Sequence, residues 1–377
     1  MFITSELLDW RYNLAMSLLM NDPELDRFAK IRATENRGVW ASGGDLYYGA
    51  VFGRDSIEVG EDMVDFAENQ ELVREILLTM ASHQGLTTDH LSESEPGRIH
   101  HEHRHRKDAL NERSLDIFST LTKKWGGKED SFVYYGSVDA TPLFLRLVGK
   151  YVRRYGSKIL DERIIGVDGN ARRFVDHAEL AGGWLVDKIN KSDIGLIEYK
   201  RNHDSGIENQ VWKDSKESYV HENGEFANFQ DGIAPLEVQG YAYDALKAMS
   251  RIRPGFVEER FIEEYGQRIV QTFWMEDKQL FAMGTDRDGA NKTRQIKTPS
   301  SNAGLILDSE LLLDIKDGGK YVKPTVEAMM SPAFRTNAGI RCRSLEYANL
   351  IDFADYHGSY AVWFKETSDI IRGFEKH

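Results

Sequence analysis

The chain has 377 residues, 41% of them hydrophobic, and a net charge of −13 with a pI near 5.4. That length and apolar fraction can bury one large core. The acidic balance argues against nucleic acid and an anionic membrane as partners, because both call for a basic face.

The opening, MFITSELLDWRYNLAMSLLM, carries Glu6, Asp9 and Arg11 inside its apolar pattern, unlike the core of a signal peptide. No stretch approaches ~18 uninterrupted apolar residues. The one cysteine, Cys342, leaves no internal disulfide and fits a reducing compartment. A soluble, cytoplasmic, single-domain protein spanning 1–377 is expected. Helical periodicity dominates from there on. Leu72, Ile76, Leu77 and Met80 recur on one helical face. In TPLFLRLVGKYVRRYG, Leu143, Phe144, Leu147, Val148, Tyr151, Val152 and Tyr155 do the same. Thr141 is the expected N-cap there, with Pro142 at the first helical position and Gly156 just past the end. The period returns at Ala242, Ala245, Leu246 and Met249, and again at Ile262, Tyr265, Ile269 and Phe273. Roughly a dozen segments follow this pattern. Strand signals are few, with LFAMG near Phe281 the clearest. The expected class is all-α.

Between the helical segments lie loops rich in Gly, aromatics and carboxylates: YYGAVFGRDS, EPGRIHHEHR, FVYYGSVDATP, GIENQVWKDS, GIAPLEVQGY, TPSSNAG and DFADYHGSYAVW. Plain connectors such as FAENQE and RPGFVEE are shorter and more charged. An alternation of plain and elaborate connections predicts antiparallel helical hairpins whose elaborate loops gather on one functional face.

Asp214 sits in a polar loop beside Trp212 and Lys213. Asp214 or Ser215 would serve as the cap of a helix through Glu217 and Ser218. Equally, a carboxyl beside an indole would hold its proton near neutral pH and donate it to a leaving oxygen. In an extended loop Trp212 and Asp214 share a face and Lys213 points elsewhere. Trp40, Trp212 and the pairs Tyr47–Tyr48 and Tyr134–Tyr135 would wall a sugar ring, although core packing is the ordinary use of such residues. Arg54, Asp55 and Asp139 would grip vicinal hydroxyls.

HEHRH, from His101 to His105, fits the zinc motif H-E-x-x-H, which needs both histidines one helical turn apart. Pro96-Gly97 upstream, a charged flank and no apparent third ligand argue instead for a loop, from which Glu102 could reach a substrate hydroxyl. No metal is expected, and no phosphate-loop pattern or nucleophile elbow is present.

FGRDS, PGRIHHEHR, YYGSVDATPLFL, SGIENQVWKDS, APLEVQGYAYDAL, TPSSNAG and YHGSYAVW together resemble, in the same order, the catalytic domain of bacterial and archaeal amylo-α-1,6-glucosidase (glycogen-debranching-type) proteins. The likeness runs from about Trp40 to Trp363. It implies an (α/α)6 toroid, the six-hairpin glycosidase fold shared with glucoamylases, trehalases and mannosylglycerate hydrolases. It also implies a pocket at one end and inverting hydrolysis of an α-glycosidic bond, with a carbohydrate as partner and no metal or cofactor. Trp212-Lys213-Asp214 matches the family's Trp-x-Asp element, making Asp214 the expected general acid. The Ser-Gly-x-Asp element of the trehalase and mannosylglycerate hydrolase relatives maps nearer Glu208, the second choice. Arg54, Asp55, Asp139, Trp212, Lys213, Glu237, Gln239 and His357 are expected to bind substrate, with Glu102 beside them.

Two departures stand out. No separate N-terminal β domain of the kind members often carry is expected here. VWFKET has Phe364 where Pro is usual, and no general base is assigned, since Glu366 is available but does not match. Lys365 to Lys376, with Ile370, Ile371 and Phe374 apolar and Gly373 inside, reads as the opening of an unfinished helix. That predicts a toroid incomplete near its C-terminus, an apolar seam and self-association to cover it. Alternatives are a hydrolase of trehalose or a glycosylglycerate, a non-catalytic carbohydrate-binding toroid lacking its base, and a zinc hydrolase.

Overall fold

The computed structural model describes residues 39, 50–109, 111–351 and 355–377. Among these residues are eleven α-helices. They are α1 (Gly53–Met63), α2 (Gln70–Ser82), α3 (Glu112–Trp125), α4 (Ala140–Tyr155), α5 (Phe174–Lys191), α6 (Leu236–Ile252), α7 (Glu259–Phe273), α8 (Asn302–Leu305), α9 (Leu311–Asp314), α10 (Gly319–Met330) and α11 (Phe364–Lys376). None is long and apolar enough to cross a membrane.

The helices form two shells. α1, α4, α6 and α8 pack side by side in sequence order, and α11 lies against α8 and the turn Ile306–Asp308. Outside them, α2 covers α1 and α4, α5 covers α4 and α6, α7 covers α6, and α10 covers α8. This is the layout of an (α/α)6 toroid, an all-α architecture. α4 is buried along most of its length. Leu143, Phe144, Leu147, Val148 and Tyr151 are all buried, and burying each such side chain contributes about 1.5–3 kcal/mol. The helix stops at Gly156, which has φ +89° and donates its N–H to Val152 O at 2.9 Å. Its start differs from the sequence reading. The helix begins at Ala140 after Asp139, and the Thr141 hydroxyl accepts the Ile99 N–H (2.9 Å) instead of capping.

Short strands decorate this scaffold. β1 (Val51–Phe52), β2 (Glu102–His105) and β3 (Ser131–Tyr134) form an antiparallel sheet, with Phe52 opposite Glu102 and Glu102 opposite Tyr134. α3 packs on it through a satellite core of Phe118, Trp125, Phe132 and Tyr134. Leu280–Phe281 is a strand, as LFAMG suggested, paired with Trp274–Met275.

Five of the seven elaborate loops lead into the inner helices. AVFGRDS, FVYYGSVDATP, GIAPLEVQGY, TPSSNAG and DYHGSYAVW, the described parts of these loops, run into α1, α4, α6, α8 and α11, whereas FAENQE and RPGFVEE join inner to outer helices. The inner helices therefore begin at the elaborate loops, whose polar side chains can share one face.

The reading of residues 365–376 as an unfinished helix with an uncovered apolar flank is corrected. α11 buries Ile370 and Phe374. Gly373 is there for packing, because a Cβ on it would come within 2.7 Å of Leu307 Cβ and 2.8 Å of Asp308 N. α11 also reaches α1, through Lys365–Glu58 at 2.9 Å and Arg372–Asp62 at 2.5 Å. A methyl at this contact must push α11 off the turn. Gly373→Ala should therefore destabilise the fold by about 1–3 kcal/mol despite the better helix propensity of Ala, read as a lower midpoint in urea unfolding.

Candidate active site

The loop carrying Trp212, Lys213 and Asp214 is a turn, not the extended run expected. The Asp214 N–H donates to Trp212 O at 3.0 Å, folding the chain tightly about Lys213. The side chains still separate as anticipated. Lys213 points into the protein, Trp212 is half-buried, and Asp214 is exposed. The capping alternative does not hold. Lys216–Ser218 form only a 3-10 turn without a side-chain cap, and Ser215 Oγ bonds His357 Nδ1 at 2.8 Å instead.

Asp214 lies in the field of Arg54, Asp55 and Asp139. The surrounding protein displaces water from its carboxyl and raises its pKa above the ordinary aspartate value; Asp55 and Asp139 push the same way while Arg54 opposes. Because the side chain still meets solvent, screening tempers that shift. Arg54, at the start of α1, is buried and donates to Asp139 Oδ2 at 3.0 Å. Its guanidinium carbon lies 5.8 Å from the Trp212 ring centre. Arg54, Asp55, Asp139, Trp212 and Asp214 are thus brought together.

Histidines flank the group. His357 meets the Trp212 ring edge-on at 6.0 Å, and Trp363 lies 5.6 Å from each of those two rings. Burial, then Lys213 and Arg54, lower the His357 pKa to about 3. His101 is likewise lowered to about 3, by burial and then Arg54, with Asp139 opposing. Both rings are neutral at pH 7. Glu237, in the first turn of α6, is buried and accepts from Asn302 Nδ2 (2.8 Å) and the Tyr219 hydroxyl (3.1 Å). Burial raises its pKa, and with Asp139 it acts on Tyr199 and Tyr219.

Other expected binding residues serve elsewhere. Lys213 Nζ lies 2.7 Å from Ser301 Oγ, 2.7 Å from Asn302 Oδ1, 3.0 Å from Cys342 O and 3.0 Å from Glu366 Oε1. Its three donors are consumed by the protein, so Lys213 anchors the loop and does not bind substrate. The same contact removes Glu366 from the search for a base: it is buried against Lys213 and the Cys342 thiol. Gln239 is equally committed, to the Ile197 and Pro235 backbone and the Tyr265 hydroxyl. Glu102 pairs with Arg104 on the face of β2 opposite His101. Because HEHRH runs into a strand, His101 and His105 cannot make the one-turn helical zinc pair. Glu208 sits 3.8 Å from both Arg201 and Lys216. Tyr134 stacks on Trp125 at 4.0 Å and Tyr135 donates to His83 O, so both are core aromatics. Trp40, Tyr47 and Tyr48 lie outside the described residues.

The sequence reading passed over a second polar layer. One turn below Arg54 and Glu237 on their helices come Glu58 and Tyr241, at i+4 spacing. Lys365 of α11 joins them, 2.9 Å from Glu58 Oε1 and 2.7 Å from Asp369 Oδ2, with its ammonium 5.3 Å from the Trp212 ring centre. Burial and then Asp369 push the Glu58 carboxyl up to about 8. Polar residues recurring at i+4 within these helical patterns were the available signal.

Comparison with known proteins bears on the fold. No family model matches the chain, and no curated protein matches it. Among solved structures, the cellobiose 2-epimerase from Bacillus thermoamylovorans B4167 aligns over 98% of this chain and 86% of its own, at 9% identity and a TM-score of 0.53. A sugar epimerase from a ruminal bacterium aligns over 97% of each chain at 9% identity and a TM-score of 0.43. The first likeness is one of architecture.

The anchoring role of Lys213 is directly testable. Removing one partner of a buried ion pair strands the other, at a cost of about 3–5 kcal/mol. Lys213→Met should lower stability by that order, with much of the loss recovered in Lys213→Met/Glu366→Gln, as measured by urea unfolding of both variants.

Proposed function

We propose that this protein is a carbohydrate-processing enzyme, a glycoside hydrolase that cleaves an α-glucoside or related α-glycoside with Asp214 as general acid. The observation that carries the reading is Asp214 itself. It is a solvent-accessible carboxyl whose proton is favoured by its surroundings, next in the chain to the Trp212 turn and within the field of the buried Arg54–Asp139 pair. An indole offers an apolar face to a sugar ring, and a guanidinium with a carboxylate offers donor and acceptor to its hydroxyls. A protonated carboxyl beside them can donate to the leaving oxygen.

The loop resemblance supports this reading, and the epimerase fold likeness supports sugar chemistry more broadly. Epimerisation would need a side chain able to take a proton from carbon. Among the described residues, His101 and His357, both in the field of Arg54, are candidates of that kind, and burial, the largest cause, holds both rings neutral with a pKa lowered to about 3. Hydrolysis led by an aspartic acid is the better fit.

Asp214→Asn should lower sugar release from a panel of α-glucosides by roughly 10²–10⁴-fold, with the melting temperature unchanged. Near-wild-type turnover in that variant, with loss in Glu208→Gln, would move the role to Glu208. The stereochemical outcome is a separate check. Inverting sites hold their carboxyl groups ~6.5–9.5 Å apart to admit water, and proton NMR of the first product of an α-linked substrate should show the β-anomer.

A further inference from the structure

We propose that a cavity beside the C-terminal half of α5 is a binding site for a phosphate group, free or carried on a small molecule. The proposal lies beyond the sugar-processing reading and does not depend on it. The cavity, about 270 Å³, is bounded by the loop before β2, by α5, by the loop of residues 198–202 and by the strand Gly284–Arg287.

Charge and unused donors point to an anion. Arg98, Lys188, Lys200 and Arg287 line the cavity against Glu95, Glu198 and Asp231, a net of one positive charge in a chain of net −13. Ion pairing accounts for part of this set. Arg287 Nη2 lies 2.6 Å from both Glu198 Oε1 and Asp193 Oδ1. Glu95 accepts one N–H from Lys188 at 2.8 Å and the Trp184 indole N–H at 2.6 Å. Three groups keep donors to spare. Arg98 is 4% exposed, and its Nε has no hydrogen-bond partner among the described residues. Lys188 has two further N–H groups. Lys200 is exposed and makes no ion pair among the described residues. A buried N–H without a partner is costly and signals an external acceptor. Arg98 and Lys188 are gathered on one ring, 5.9 and 5.4 Å from the Trp184 ring centre.

The donors that remain select a tetrahedral anion. A carboxylate is gripped best by two parallel N–H groups of an arginine fork. Arg98 has no fork to offer, because Nη1 donates to Glu93 O at 2.9 Å and Nη2 to Gln210 Oε1 at 2.9 Å and Ser137 O at 3.5 Å. Arg287 is likewise committed, to Asp193, Glu198 and Thr293. Single N–H groups arriving from three segments suit oxygens that point in several directions, as in phosphate. The cavity adjoins a surface groove of about 1180 Å³ that shares Glu95, Trp184, Lys188 and Asn202 with it, which leaves room for whatever bears the phosphate. Arg98 also holds Gln210, two residues before Trp212, which sets this cavity against the loop of the candidate active site.

The test is calorimetric titration of the full chain with inorganic phosphate, glucose 6-phosphate and acetate, in the wild type and in Lys200→Glu, Lys188→Gln and Lys323→Glu. Phosphate should bind with a Kd of about 1 mM or tighter, and acetate roughly 10-fold more weakly. Lys200→Glu and Lys188→Gln should each weaken phosphate roughly 10-fold. Lys323→Glu makes the same charge change as Lys200→Glu at an exposed position of α10 and should leave phosphate binding as it was. Lys200 is exposed, so its variant should fold as the wild type does, which circular dichroism checks. Glucose 6-phosphate binding that is tighter than that of phosphate and is weakened alike by Lys200→Glu assigns a sugar phosphate; otherwise the ligand is free phosphate, and either result upholds the site. No phosphate binding at ~20 mM, no loss in Lys200→Glu, an equal loss in Lys323→Glu, or acetate bound as tightly as phosphate would overturn the proposal. Phosphate binding is read without turnover, so its outcome is separate from the role of Asp214.

Discussion

The candidate site depends on one buried ammonium. Lys213 is 1% exposed, and its Nζ is held by Ser301 and Asn302 at the start of α8, the Cys342 carbonyl, and Glu366 of α11. Burying a cation is tolerable only where it is paired and hydrogen-bonded. That requirement ties the loop of residues 212–214 to two inner helices. Asn302 passes the constraint on by donating to Glu237 of α6. With Lys213 fixed at the apex of a tight turn, Trp212 is held toward Arg54 and Asp214 is left at the surface beside the Arg54–Asp139 pair.

The same logic organises the axis of the toroid. The inner helices carry polar residues one turn apart on their inward sides: Arg54 and Glu58 on α1, Glu237, Tyr241 and Asp244 on α6, and Lys365, Asp369, Arg372 and Lys376 on α11. Deep in this column the charges cancel in ion pairs around Arg146 and Asp308. Asp308 is held well below the ordinary range, because Arg146, Lys150, Lys376 and Arg372 outweigh its burial. Near the loops the balance is looser. There, Tyr241 and Trp212 have polar atoms without a hydrogen-bond partner among the described residues, and Asp214 is exposed.

Much of this was legible in the residues. Helical periodicity located α2, α4, α6 and α7, and the alternation of plain and elaborate connectors anticipated hairpins whose loops feed the inner ring. Trp212, Asp214, Arg54 and Asp139 are drawn together by the fold. What was not legible depends on long-range packing. Lys213 and Gln239 look like ligand-binding polar residues in sequence, yet partners 88 and 42 positions away saturate them. Gly373 reads as a helix breaker until Leu307 is seen against it. Tyr241, Glu58 and Lys365 sit inside helical patterns, and only the arrangement of α1, α6 and α11 around one axis brings them together.

The central claim is that a sugar lies against Trp212 and the Arg54–Asp139 pair with its anomeric centre at Asp214. A crystal structure with the iminosugar 1-deoxynojirimycin tests it most directly. The account requires the ring against the Trp212 face, ring hydroxyls on Arg54 and Asp139, and the Asp214 carboxyl within hydrogen-bond reach, ~2.6–3.2 Å, of the atom at the anomeric edge. An iminosugar bound elsewhere on the chain, or bound here with Asp214 turned away from it, would contradict it.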